Sequence, residues 1–255
     1  MRVGAFAGLA SVVVALAGCT ADDGKSQFDD AAQSHAGVDE ITAQASAAAP
    51  MARPGVSVAF EISIPEAVTV VVTKKRPLDP FDYAPADLVV LGSIPGGGNQ
   101  SLREVAAGAM VTMYEAALAA DAPFRISTAY RPYGFQQSLY AGYVAQLGTA
   151  AADRVSARPG FSEHQTGLAA DVYDVQKNHL KRSFGTSDAG QWLVANAYAY
   201  GYIVSYPDGK EDVTGYKWEP WHIRFVGVDV ATSMHDQGIV TLQEFMGVEA
   251  SPGYE

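Results

Sequence analysis

Apolar positions along this chain change their period several times, and each change predicts an element. From Ser101 to Ala120 they recur at three-to-four spacing, and Ser101 with Glu104 three residues on forms a capping-box signature, predicting a helix that starts at Ser101. Tyr133 to Leu147 reads as a second helix. Asp188 with Gln191 predicts the cap of another helix, running to about Tyr200 and stopped by Gly201. Val228 to Gln237 and Thr241 to Phe245 read as short helices. Runs rich in β-branched and aromatic residues predict strands at Ala67–Val72 (AVTVVV), Phe124–Thr128, Tyr202–Tyr206 and Trp221–Val226. Pro77–Asp87 alternates prolines with aspartates and reads as a structured loop, and Pro207–Gly215 as a polar connection. Helices dominate early and strands gather late, without regular βαβ alternation. The expected class is α+β: one domain with a small antiparallel sheet flanked by helices.

The ends carry different patterns. Arg2 followed by the apolar stretch Val3–Ala17, too short to span a bilayer comfortably, reads as an export signal over residues 1–18. It runs into Leu16-Ala17-Gly18-Cys19, which looks like a bacterial lipobox, so Cys19 is the expected lipidation site and the protein is expected to sit outside the cytoplasmic membrane, anchored to it as a lipoprotein. Cys19 is also the single cysteine, so no intramolecular disulfide can form. Residues 19–60 are rich in Ala, Asp, Ser and Gln, bury too little apolar surface to offset ordering entropy, and read as a flexible tether. The domain is expected over residues 61–248, with residues 249–255 as a frayed tail.

Length and charge narrow the picture further. With 255 residues and 48% apolar side chains, there is enough chain for one sizeable core. A net charge of −11 excludes nucleic acid as a partner, since phosphate binding needs a basic footprint. No Asp-rich calcium loop is visible. The protein is expected to act as a monomer.

The candidate chemistry lies in two runs, SEHQTGLAAD and WEPWH. His164, Asp171 and His222 are two imidazoles and a carboxylate, a natural zinc (Zn2+) ligand set that leaves a coordination position for water, as catalytic sites do. His164 and Asp171 lie more than one helical turn apart, so a loop-plus-strand placement on the sheet suits them better than the single helix of HExxH sites. Glu219, just before His222, suits a general base. Arg131 offers a planar fork of donors for a substrate carboxylate or a developing oxyanion. Trp218 and Trp221 are expected to pack around the site. Gly160 and Gly167 are expected to serve turns around the ligand loop, and His35, His179 and His235 to be structural.

With TAYRPYGFQQ upstream of SEHQTGLAAD and EPWH, the chain resembles the VanY-type D-alanyl-D-alanine carboxypeptidases from about Lys74 to Gly227. The resemblance implies a zinc-dependent α+β enzyme that removes D-alanine from peptidoglycan stem peptides. By position it implies His164, Asp171 and His222 as metal ligands, Glu219 as catalytic base and Arg131 as the arginine facing substrate. Ser162 and Gln136 fall on recurring family positions, and are expected to contact substrate. Ser205, in IVSYP, departs from the arginine that many relatives carry there. Within the superfamily, L,D-carboxypeptidase and D,D-dipeptidase activities are the alternatives. A catalytically silent peptidoglycan-binding lipoprotein would be expected to have lost a ligand or the base, and neither is lost.

Overall fold

The computed structural model describes residues 60–176 and 178–255, which all belong to one compact unit. The signal, Cys19, the tether up to residue 59 and His35 lie outside the described residues.

Two sheets organise the domain. Strands β1 (Leu88–Val90) and β2 (Ser101–Arg103) form an antiparallel pair, and β2 runs directly into helix α1 (Glu104–Ala119). The larger sheet has the order β3-β4-β6-β5, with β3 at Phe124–Thr128, β4 at Ala169–Asp174, β5 at Tyr202–Val204 and β6 at His222–Phe225. All its neighbours are antiparallel. Helix α2 covers Tyr133–Leu147 and α3 Thr149–Ala152; α4 covers Asp188–Asn196, α5 Glu211–Thr214, α6 Val228–Gln237 and α7 Leu242–Phe245. The α+β class with a small antiparallel sheet holds.

Side chains alternate across a strand, so the sheet has two working faces. Ile126, Ala170, Val172, Ile223 and Phe225 point into the main core, against Met110 and Met113 of α1 and Leu193 of α4. In α1 the buried positions are Ala106, Ala107, Met110, Met113 and Ala117, the stripe its apolar spacing predicts. Truncating Met110 or Met113 to alanine would cost roughly 2–5 kcal/mol, because a fully buried thioether leaves a cavity behind. Tyr202 donates its hydroxyl to Ala106 O at 2.7 Å and ties β5 to α1. The opposite face carries Asp171 on β4, with His222 and Arg224 on β6.

Four expectations fail for local reasons. Ala67–Val72 forms no strand: its apolar side chains at Val70, Val71 and Val72 are buried, yet the carbonyls of Val68 and Val70 accept from the Arg224 guanidinium instead of from a neighbouring strand. Ser101 caps no helix, because it pairs with Val90 in the small sheet, and α1 begins at Glu104 with no side-chain cap. The α4 cap is Ser187, whose hydroxyl accepts from Gly190 N at 3.2 Å, one residue ahead of Asp188. The polar connection before β6 holds the short helix α5.

The carboxy-terminal residues do not fray either. Ser251 is 1% exposed, its N–H donates to Val213 O at 2.8 Å, and its hydroxyl donates to Thr73 Oγ1 at 3.1 Å. Tyr254 accepts from Arg158 N at 2.8 Å through its hydroxyl, and its ring lies under the Arg158 guanidinium. An aromatic and a small hydroxyl residue close to the end supply contacts that composition alone conceals.

Candidate active site

The run SEHQTG folds as a 3-10 turn, Glu163–Thr166, between the loop Asp153–Ser162 and strand β4. Glycines bracket it. Gly160 has φ +86°, and a Cβ there would collide with the Phe81 ring; Gly167 has φ +69° and closes the turn. Gln165 fastens the turn to the proline-rich loop, its amide donating to Phe81 O at 2.7 Å and Tyr83 O at 3.1 Å while accepting from Gly160 N at 3.2 Å. That loop thus serves as a backing plate for the ligand turn.

His164 donates Nδ1–H to Ala129 O at 2.8 Å, which turns Nε2 toward Asp171 Oδ1 at 3.3 Å. Asp171 on β4 and His222 on β6 are paired in register, and His222 Nδ1 lies 2.9 Å from the same Oδ1. The other ring nitrogen, Nε2, donates to Glu163 Oε2 at 2.9 Å. The ligand atoms of His164, Asp171 and His222 lie within 4.8 Å of one another, all three residues buried. Each imidazole has its outward nitrogen held by an oxygen outside the centre and turns its inward nitrogen toward Asp171, whose carboxylate completes three ligands. This donor set fits zinc.

The buried groups of the centre balance one another's charge. Burial opposes charge on Asp171, but His164 and His222 hold its carboxyl far below the usual carboxylate range. His164 is pushed down to about 4 by burial and by Arg131. Burial alone would also lower His222, yet hydrogen bonds to Asp171 and Glu163 raise it to about 10.

A cleft of about 480 Å³ opens over these ligands, lined also by Arg131, Ser162, Glu163, Glu219, Trp218 and Trp221. Glu219 is held by its own N–H donating to Tyr206 O at 3.0 Å and its carbonyl accepting from His222 N at 3.0 Å. Enclosure by protein on all but the cleft side pushes its carboxyl up to about 8, with Asp171 and Glu163 adding to the rise and His222 and Arg131 opposing it. Arg131 enters from the loop after β3, its backbone N–H donating to His164 O at 3.2 Å. Its Nη1 is 3.6 Å from Asp171 Oδ2.

Gln136 plays a different part from the one expected. It is wholly buried and does not line the cleft; its Oε1 accepts from Arg131 Nε at 3.0 Å, and its amide donates to Ala157 O at 2.7 Å and Ser156 Oγ at 3.3 Å. It aims Arg131 rather than touching substrate. Ser162 does reach the cleft. His179 and His235 lie on the surface, the first tilted against Tyr173 and the second stacked on Tyr198. Ser205 lies under the site, its N–H donating to His222 O at 3.2 Å and its buried hydroxyl without a partner.

Two site residues were missed from sequence, Glu163 and Arg224. The signals were adjacent to motifs already singled out: Glu163 directly precedes His164, and Arg224 follows His222 by two positions, which in a strand places both on one face.

The family model for D-alanyl-D-alanine carboxypeptidase, VanY, matches residues 99–228, a span that holds every ligand, Glu219 and Arg131. The chain belongs to the VanY family. Among relatives, YodJ of Bacillus subtilis, provisionally named a carboxypeptidase, is 36% identical over 189 residues, covering 72% of this chain and 68% of YodJ. The solved structure of the LdcB LD-carboxypeptidase is 36% identical and superposes with a TM-score of 0.67, covering 72% of this chain and 88% of LdcB. A mutant of the vancomycin-resistance D,D-pentapeptidase VanY, solved with Zn(II), is 27% identical with a TM-score of 0.59, covering 70% of this chain and 98% of that one. This VanY-family protein is therefore a zinc metallocarboxypeptidase by family and by ligand set.

Proposed function

We propose that this protein releases a C-terminal D-alanine from peptidoglycan stem peptides. The observation that carries the reading is the convergence of His164, Asp171 and His222 with Arg131 and Glu219 in one cleft. His164, Asp171 and His222 would hold the zinc, which would supply Lewis acidity to the water and the scissile carbonyl. Arg131 receives the terminal carboxylate: Nε–H is committed to Gln136 and Nη1 faces Asp171 at 3.6 Å, which turns the outer Nη edge of the guanidinium to the substrate. Glu219 accepts the proton of the attacking water and passes it to the amine of the departing D-alanine, the relay that a carboxylate lining the cleft beside the ligands can perform. Trp218 and Trp221 wall the peptide and exclude bulk water.

A second reading concerns which bond is cut. The likeness to the LdcB LD-carboxypeptidase, 36% identical over 72% of this chain, supports cleavage after the diamino acid of a tetrapeptide. Both readings liberate D-alanine. The experiment is D-alanine release by the zinc-loaded protein from pentapeptide and tetrapeptide muropeptides. Turnover of the pentapeptide supports the D,D reading, turnover of the tetrapeptide alone the L,D reading, and release of a dipeptide a D,D-dipeptidase. No release from either substrate overturns the proposal.

The lipobox ending in Cys19 supports an extracytoplasmic, membrane-anchored enzyme, which places it beside its polymer. Cys19→Ser should abolish lipidation and free the protein from membranes; unchanged fractionation and processing would exclude the anchor.

A further inference from the structure

Beside the ligands, the proton chemistry leaves the buried charges of Glu163 and Arg224 unused. Glu163 is 6% exposed and Arg224 wholly buried, and ions removed from water are costly unless every donor and acceptor is met. Here they are met in a directed way. Glu163 divides its oxygens: Oε2 accepts from His222 Nε2 at 2.9 Å and Oε1 from Arg224 Nη1 at 3.4 Å. Arg224 gives its other donors to main chain, Nε to Phe225 O at 2.9 Å and Nη2 to Val70 O at 2.9 Å and Val68 O at 3.1 Å. A guanidinium held by the backbone of two separate segments cannot swing, so it fixes the carboxylate that it contacts.

We infer that Glu163 and Arg224 form a positioning pair for the metal centre: Glu163 holds His222 with Nδ1 presented to the metal, and Arg224 immobilises Glu163. The inference rests on the zinc reading above. An imidazole can present either nitrogen. Stacking on Tyr206, with ring centroids 4.7 Å apart, restrains the plane of His222 but not which edge faces Asp171. The Nε2–H donation to Glu163 settles the edge. Outward hydrogen bonds of this kind typically change metal affinity by 10–100-fold. Position reinforces the pairing, since Glu163 adjoins ligand His164 in the turn and Arg224 shares the cleft-side face of β6 with ligand His222.

The test is zinc affinity of the full chain, by competition with a chromophoric chelator, for wild type, Glu163→Ala and Glu163→Gln, together with the absorption spectrum of the cobalt-substituted proteins. Glu163→Ala should weaken zinc about 10–100-fold and alter the cobalt spectrum. Glu163→Gln, which keeps an acceptor for Nε2–H, should retain more of the affinity. A folded Glu163→Ala with wild-type affinity and spectrum would reduce the pair to a structural ion pair and overturn the inference. Should Glu163→Ala not fold, long-range proton–nitrogen spectra of the zinc-loaded wild type decide: Nε2 protonated and Nδ1 bound to metal on His222 is expected, and the reverse tautomer refutes the pair's role. Failure of the zinc reading itself would look different, as wild-type protein that takes up no zinc.

Discussion

Asp171 and His222 face each other across antiparallel strands β4 and β6, and their side chains meet at 2.9 Å on the cleft side of the sheet. Cross-strand partners have Cβ atoms about 4.5–5.5 Å apart, a spacing set by main-chain hydrogen bonds rather than by either side chain. Two of the three ligands are thereby preset by strand register. The third, His164, arrives on a turn fastened by Gln165 and Ala129 O. Rigid and adjustable parts of the centre are thus distinct.

Glu219 separates a working enzyme from a metal-binding scaffold. Glu219→Gln keeps the size and hydrogen-bonding capacity but not the basicity. It should retain zinc and the fold while kcat falls on the order of 10²–10⁴-fold. Steady-state kinetics on protein of verified zinc content checks this; near-normal kcat would remove Glu219 from the base role, and zinc loss would make it a ligand.

Arg131 and Gln136 should fail in different ways. Arg131→Lys replaces a planar fork with a point charge and should lower kcat/KM by about 10-fold or more. Amidating the substrate's terminal carboxylate should do the same to wild type. Gln136→Ala leaves the guanidinium present but unaimed, so the loss should be smaller and weighted toward KM. Equal cleavage of free and amidated peptides would contradict carboxylate recognition by Arg131.

Removing the metal should expose a pH dependence of stability. His222, raised to about 10, contributes stability that is complete below its unfolded value of about 6.5 and is lost as pH rises toward 10. Glu219, raised from 4.5 to about 8, has the same sign and loses its contribution between those values. Lys74, lowered to about 8 chiefly by burial, works in the opposite direction only above that pH. Chelator-treated protein should therefore melt at progressively lower temperature from pH 6.5 to 8, and zinc should restore more stability at the upper end. A melting temperature that rises across this interval would contradict these assignments.

Ser205 offers a contrasting case. Its hydroxyl is buried without a partner, so Ser205→Ala removes an unmet polar group. Stability should stay level or rise by up to about 1 kcal/mol, with zinc content and kcat unchanged. A clear loss of activity would reveal a contact made only with substrate present.

Much of the centre was legible in the sequence because its residues are chemically distinctive and sit in compact motifs. His164, Asp171, His222, Arg131 and Glu219 all line one cleft as expected. The helices Tyr133–Leu147 and Val228–Gln237 match their expected bounds end to end. What escaped depends on distant partners. AVTVVV has every local property of a strand, yet its carbonyls are claimed by Arg224, more than 150 positions away. Ser101 and Glu104 form a sound capping box whose serine is needed in a sheet. Gln136 was placed on the substrate side because a motif position does not say which way an amide points.

The fastening of Ser251 to Thr73, 178 positions apart, bears on how the enzyme comes into being. Glu163 to His222 spans 59 positions, and Arg224 to Val70 spans 154. Closing such long loops costs entropy that the assembled contacts must offset. Hydrolytic competence accordingly belongs to the assembled chain, and metal uptake reports completion of the whole domain rather than of any local motif.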